Sequence, residues 1–215
     1  MKVVAIAALC IGFGAGYMTH LQMNKNQPSF HGITNKINEM KLSQSNDGQY
    51  LFFGDSITQG INDAGITADH VNLGIGGDTV ADVFERMKST EIANYSGVFI
   101  EAGSNDFLHG VTGQKVGESV AEMISYASSK AKKVFVSHVL MPNIDVNKSV
   151  KGDVASANSA IDIACSAAAN CTVVPTPEGM ISKNGVEKAF SIEDGIHLNA
   201  EGYRLWKAEI NKVVK

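Results

Sequence analysis

From Gln49 onward, short apolar runs alternate with longer stretches whose apolar residues recur every three or four positions. The runs are YLFFG (Tyr50–Gly54), HVNLG (His70–Gly74), GVFIEAG (Gly97–Gly103), KVFVSHVL (Lys133–Leu140) and CTVVP (Cys171–Pro175). They are rich in Val, Ile and Phe, which suits strands buried on both faces. Between them, DTVADVFERMKS puts Val80, Val83, Phe84 and Met87 on one side of a helix. GESVAEMISYASSKA does the same with Val120, Met123, Ile124 and Ala127. DVASANSAIDIACSAAA is Ala-rich and opens on Asp153 as a cap, and YRLWKAEINKVV supplies a last helix. Parallel strands need a crossover helix on a sheet face, so this order predicts an α/β fold: a three-layer α/β/α sandwich on a five-stranded parallel sheet. Ligands in such folds bind outside the carboxyl ends of the strands.

The first 48 residues read differently. MKVVAIAALCIGFGAGYMTH carries one cation, Lys2, before an uncharged apolar run from Val3 to Met18. That run has the length of a long signal-peptide core and is slightly short for a membrane span. Residues 1–20 are therefore expected to export the chain, either cleaved or kept as a membrane anchor, which makes it periplasmic, secreted or tethered. Cys10 is a poor lipoprotein site because the bulky Leu9 precedes it. Residues 21–48 are polar and read as a linker. Within it Ile33, Ile37 and Met40 recur at i, i+4 and i+7, predicting one short packing helix. Residues 49–215 form the globular domain.

With 215 residues, 44% of them hydrophobic, the chain is long and apolar enough for one such domain with a sizeable core. Its formal charge is −4, with no basic run, which argues against nucleic-acid binding, since that affinity rests on Lys and Arg neutralising phosphates. There is no C-x-x-C pair and no H-x-x-x-H, so neither a metal nor a cofactor is expected. Cys165 and Cys171 stand six apart where a helix gives way to a strand. They either bridge in an oxidising compartment or pack as two small thiols in a reduced protein.

What sets the chain apart is the chemistry gathered at the strand ends. Gly54-Asp55-Ser56 closes the first run, NLGIGGDT (Asn72–Thr79) the second, and EAGSNDF (Glu101–Phe107) the third; EDGIHLNAEGY (Glu193–Tyr203) precedes the last helix. All four bring small residues, acids, amides or an imidazole to one sheet edge. In these blocks and in their order, the chain from about Gln49 onward resembles the SGNH hydrolase (GDSL esterase/lipase) family. The resemblance implies that family's flavodoxin-like layering, with GDSIT carrying Ser56 as nucleophile. It makes the Gly77 backbone N–H of GGDT and the Asn105 amide of GSND oxyanion donors, beside the N–H of Ser56. It makes Asp194 and His197 of DGIH the acid and base. Leu198 stands where proline is common in the family.

Such chemistry needs these residue types. A serine hydroxyl attacks a carbonyl only when a base accepts its proton. An imidazole does this near neutral pH, and a carboxylate behind it sets the tautomer. The resemblance implies an ester hydrolase acting on a small-molecule or glycan ester, with short acyl groups, acetyl above all, favoured by the absence of a lid-like insertion. Lysophospholipase or thioesterase activity is the alternative, as is a binding domain that has lost catalysis. A dinucleotide site fails because Thr79 replaces the last glycine of G-x-G-x-x-G, and an α/β-hydrolase would need a G-x-S-x-G that the chain lacks. Asp55 and Asp78 are expected to organise turns, Asp106 to be structural, and Tyr203 and Trp206 to pack between layers. His138 sits near a strand end and reads as structural, whereas the role of His109 stays open. Oligomeric state is not legible.

Overall fold

The computed structural model describes residues 29–215, so the leader predicted for residues 1–20 lies outside the described residues. The chain divides into two compact units, residues 1–37 and 38–215. In the first, the described residues form the beginning of helix α1 (Phe30–Leu42), whose later turns belong to the second unit.

The second unit holds every predicted strand. They are β1 (Tyr50–Phe53), β2 (His70–Asn72), β3 (Gly97–Ile100), β4 (Val134–Ser137) and β5 (Cys171–Val174), paired in parallel in the order β2-β1-β3-β4-β5. Between and after them lie α2 (Ser56–Gln59), α3 (Val80–Lys88), α4 (Ser104–Leu108), α5 (Gly113–Lys130), α6 (Val154–Ser166) and α7 (Ala200–Val213). Successive strand residues point to opposite faces. Leu51, Phe53, Val98, Ile100, Val134 and Val136 meet Val83 and Met87 of α3, Val120 and Ile124 of α5, and Ile161 of α6. On the other face Phe52, Phe99, Phe135 and Val174 meet Trp206 and Ile210 of α7. Phe99 and Trp206 stack edge to face at 5.9 Å, and the indole N–H donates to Ser137 Oγ at 3.1 Å, so the buried ring leaves no polar atom unpaired. Each such fully buried side chain contributes roughly 1.5–3 kcal/mol.

Strand order reverses direction at β1: one neighbour is β2, the other β3. The segments leaving the carboxyl ends of β1 and β3 therefore diverge and open a crevice between them. Both are followed at once by one-turn helices, α2 and α4, too short to show a period in the sequence. A small antiparallel hairpin, β6 (Ile181–Ser182) with β7 (Gly185–Val186), is likewise absent from the sequence reading, and α5 begins four residues early because Thr112 caps it.

One expectation is corrected. The helix predicted around Ile33, Ile37 and Met40 exists, but those residues are 46%, 42% and 56% exposed and do not form a packing stripe. Periodicity marks a helix without saying which face is covered. In its last turns the anchoring groups are polar: Asn38 Nδ2 donates to the Leu73 carbonyl at 3.0 Å, and Lys41 Nζ to that of Asn72 at 2.6 Å. The open question about the cysteines is answered: Cys165, near the end of α6, is disulfide-bonded to Cys171, the first residue of β5, with Cα atoms 5.2 Å apart.

Candidate active site

The turn after β1 is built for close approach. A Cβ on Gly54 would lie 2.1 Å from Thr58 Oγ1 and 2.9 Å from the Glu101 carbonyl oxygen, so no larger residue fits between strand and helix. Asp55 then caps α2, its Oδ1 accepting the Ile57 N–H at 2.8 Å. That cap points Ser56, the first residue of α2, out of the sheet edge, half-buried.

The other partner comes from the loop before α7. A bridge between Ser191 and Leu198 closes it, the Ile192 N–H donates to the His197 carbonyl at 2.9 Å, and Gly195 turns it with φ +66°. Two asparagines from the segment after β4 hold this loop. The Asn143 N–H donates to the Gly195 carbonyl at 2.8 Å, and Asn147 Nδ2 to that of Asp194 at 3.0 Å. Nothing in their local sequence marks them, because their partners lie about fifty residues away.

Ser56 and His197 meet: Ser56 Oγ lies 2.8 Å from His197 Nε2, and His197 Nδ1 lies 2.6 Å from Asp194 Oδ2. Asp194 Oδ1 also accepts the backbone N–H groups of Ile196 (2.8 Å) and His197 (3.0 Å). Burial pushes the Asp194 carboxyl up, but the hydrogen bonds from the imidazole and these two amides outweigh it and hold the carboxyl below its ordinary value. Ionised, Asp194 can only accept, so Nδ1 keeps its proton and donates it in a hydrogen bond, which leaves Nε2 as an acceptor for the serine hydroxyl.

Three donors were expected near Ser56. Among the described residues neither the Ser56 N–H nor the Gly77 N–H has a protein acceptor. Gly77 adopts φ +90°, a region that favours glycine, and a Cβ there would meet nothing within 4 Å, so its backbone borders open space. Asn105 Nδ2 donates one hydrogen to the Asp78 carbonyl at 2.8 Å; its other N–H has only Asp55 Oδ2, at a long 3.4 Å.

Beneath the turn lies a polar cluster that the sequence did not reveal as a unit. Asp55, Glu101, Thr58 and Asp78 are all buried. Thr58 Oγ1 donates to Glu101 Oε2 at 2.9 Å. Arg86 donates to Asp78 Oδ2 at 2.8 Å and to the carbonyls of Leu73 (2.8 Å) and Gly54 (2.9 Å), and the Tyr203 hydroxyl donates to the Ile57 carbonyl at 2.9 Å. Asp55 thus organises a turn as expected, whereas Asp78 is also one half of an ion pair. Asp106 caps α3 by accepting the Val80 N–H at 2.9 Å. His138 donates to or accepts from Asp162 at 2.9 Å and lines a separate cavity with Asn158 and Thr176, and His109 is exposed at the end of α4.

Comparison with known proteins identifies the family and the fold. The GDSL-like Lipase/Acylhydrolase family matches residues 52–205. The human platelet-activating factor acetylhydrolase IB subunit alpha2 is 26% identical over 164 residues, covering 71% of this chain and 70% of the relative. A GDSL-like lipase from Bacteroides thetaiotaomicron superposes with a TM-score of 0.69 at 19% identity, covering 86% of this chain and 98% of that one. An acetyl xylan esterase superposes with a TM-score of 0.61 at 20% identity, covering 78% and 100%. These two structures share the fold, and the family match spans the strand-end blocks from β1 to α7. The chain belongs to the GDSL-like lipase/acylhydrolase family and is a hydrolase of ester substrates.

Proposed function

We propose that the protein removes short acyl groups, acetyl foremost, from hydroxyl-bearing substrates, among them glycans, through an acyl-enzyme on Ser56. The observation that carries this reading is the continuous Ser56–His197–Asp194 hydrogen-bond chain at 2.8 and 2.6 Å. Ser56 Oγ attacks the ester carbonyl while its proton passes to His197 Nε2. The imidazolium is stabilised by Asp194. The carbonyl oxygen, now an anion, accepts from the N–H groups of Ser56 and Gly77 and from the Asn105 N–H that is not held by the Asp78 carbonyl. Collapse expels the alcohol, which takes the proton from His197. Water, activated by the same imidazole, then releases the acid and restores the hydroxyl.

The choice of a short acyl group rests on openness. The His197 and Asp194 side chains are 38% and 36% exposed, and Gly77 borders free space, so the site is shallow. The acetylhydrolase relative and the acetyl xylan esterase neighbour bear names consistent with an acetyl group. The apolar run at residues 3–18 and the Cys165–Cys171 disulfide support work in an oxidising, exported compartment, with residues 1–20 as leader or anchor. The test is a chain-length series of p-nitrophenyl esters beside an acetylated xylan and a lysophospholipid. Acetyl should give the highest kcat/KM; a maximum at long acyl chains, or on the lysophospholipid, overturns the assignment.

A further inference from the structure

Two acids of the polar cluster beneath Ser56, Asp55 and Glu101, make no ion pair among the described residues. Asp55 and Glu101 are both 0% exposed and within hydrogen-bonding reach of each other. The nearby Arg86 is spent on Asp78 and two carbonyls. Asp78 adds a further negative charge on the Asp55 side, and Tyr203, a neutral phenol pushed further up by burial and by Glu101 and Asp55, donates its hydroxyl hydrogen bond to the Ile57 carbonyl. Each acid has one oxygen accounted for. Asp55 Oδ1 takes the Ile57 N–H, and Glu101 Oε2 takes the Thr58 hydroxyl, while Glu101 Oε1 is buried with no hydrogen-bond partner. A buried acceptor left so is costly, and a proton held by Asp55 would supply the missing donor. Burial pushes both carboxyls up, and the charge of Glu101 pushes Asp55 further, well above its ordinary value. Hydrogen bonding from the side chains and backbone N–H groups of Thr58 and Asp55 offsets part of the shift of Glu101.

We propose that Glu101 is a positioning residue for ester hydrolysis: it carries the single negative charge of the Asp55–Glu101 pair and so keeps the carboxyl beside Ser56 neutral. The consequence falls on Asn105. Its second N–H stands 3.4 Å from Asp55 Oδ2. A carboxylate there would draw that hydrogen into a charge-assisted bond and place a negative charge next to the developing oxyanion. A neutral acid facing Glu101 leaves the N–H free for the transition state. This inference rests on the acyl-enzyme reading above.

Two near-isosteric substitutions separate charge from shape. In Glu101→Gln the new amide can donate to Asp55, which then holds the charge. In Asp55→Asn the amide donates to Glu101 in place of the acid proton, and its oxygen still accepts the Ile57 N–H. Measured on p-nitrophenyl acetate, Glu101→Gln should lower kcat by about tenfold or more with KM little changed, while Asp55→Asn loses several-fold less, as befits an electrostatic rather than a packing effect. The ratio of Glu101→Gln to wild-type kcat should rise as pH falls, because Asp55 regains a proton. An equal loss in both variants, the reverse order, or a ratio flat with pH overturns the proposal. Should Glu101→Gln fail to fold, infrared spectra of the native wild type and of Asp55→Asn decide. A protonated-carboxyl stretch at neutral pH that the Asp55 variant lacks supports the proposal, and its absence from wild type refutes it. Ser56→Ala assayed in parallel keeps the two readings apart: activity surviving there sinks the acyl-enzyme, whereas an inactive Ser56→Ala with the wrong variant order sinks only the role of Glu101.

Discussion

The hydroxyl of Ser56 lies 2.8 Å from His197 Nε2 although 141 positions separate the two residues. The first comes from the turn after β1 and the second from the loop before α7, and only the sheet brings them together. Replacing either by Ala should lower kcat by up to about a millionfold, the loss seen when one member of a cooperating catalytic set is removed. Turnover of p-nitrophenyl acetate by purified Ser56→Ala protein is the direct check, and a rate near wild type would exclude Ser56 as nucleophile.

Asp194→Asn tests the tautomer. The amide oxygen can still accept the Ile196 and His197 N–H groups, so the loop keeps its shape, but an amide N–H would then face Nδ1. The imidazole would carry its proton on Nε2 and could not accept from Ser56. A loss of roughly 10⁴-fold in kcat is expected, with unfolding temperature nearly unchanged.

Asn105→Ala tests the proposed oxyanion donor. Turnover should fall by roughly 10²–10³, about 3–4 kcal/mol of transition-state stabilisation. Because the same amide also holds the Asp78 carbonyl, a urea titration should accompany the kinetics. A rise in KM at constant kcat would instead mean that Asn105 binds the ground state.

The disulfide should matter for stability and not for turnover. Closing the short loop between Cys165 and Cys171 is worth about 2 kcal/mol in the chain-entropy model. Replacing both by Ala should lower Tm by roughly 4–8 °C for a domain of this size. Scanning calorimetry reads the shift, and esterase assay below the transition should find kcat retained.

Stability should fall as pH rises through the range governed by the buried acids. Asp55 and Glu101 are both pushed up, so above the ordinary carboxylate value of about 4 the native state holds protons that the unfolded chain has released. Their stabilisation is complete below that value and is lost as pH climbs through the raised native values, by at most about 1.4 kcal/mol per pH unit per proton. Asp194 has the opposite sign: its contribution is present above the ordinary value and disappears on acidification, and its exposure keeps it small. Urea unfolding at a series of pH values should show the decline in wild type and a shallower one in Asp55→Asn. Parallel curves would mean that Asp55 is ionised in the native protein.

The three central strands were legible because a strand buried on both faces must be apolar at nearly every position, as in Tyr50–Phe53 or Val134–Ser137. The edge strands β2 and β5 are only partly buried and were legible as short β-branched runs beside turn residues. Ser56, Gly77, Asn105, Asp194 and His197 were singled out through the family resemblance of the strand-end blocks, and the structure brings three of them, Ser56, His197 and Asp194, into one hydrogen-bonded chain. The one-turn helices at Ser56 and Ser104 were not, since four or five residues cannot display a 3.6-residue period. Nor was the exposed face of α1, because an apolar spacing is the same whether or not anything covers it.

By itself, then, the order of residues determined the layers, the strands and the kinds of groups at the strand ends, all of which are local or periodic properties. The tertiary structure decided which of those groups touch. It set the approach of His197 to Ser56, the asparagines at 143 and 147 that brace the Asp194 loop, the pairing of Arg86 with Asp78, and the meeting of Asp55 with Glu101 beside an arginine already paired. The physical reason is that hydrogen bonds and charge interactions act over a few ångströms of space, whatever the separation along the chain.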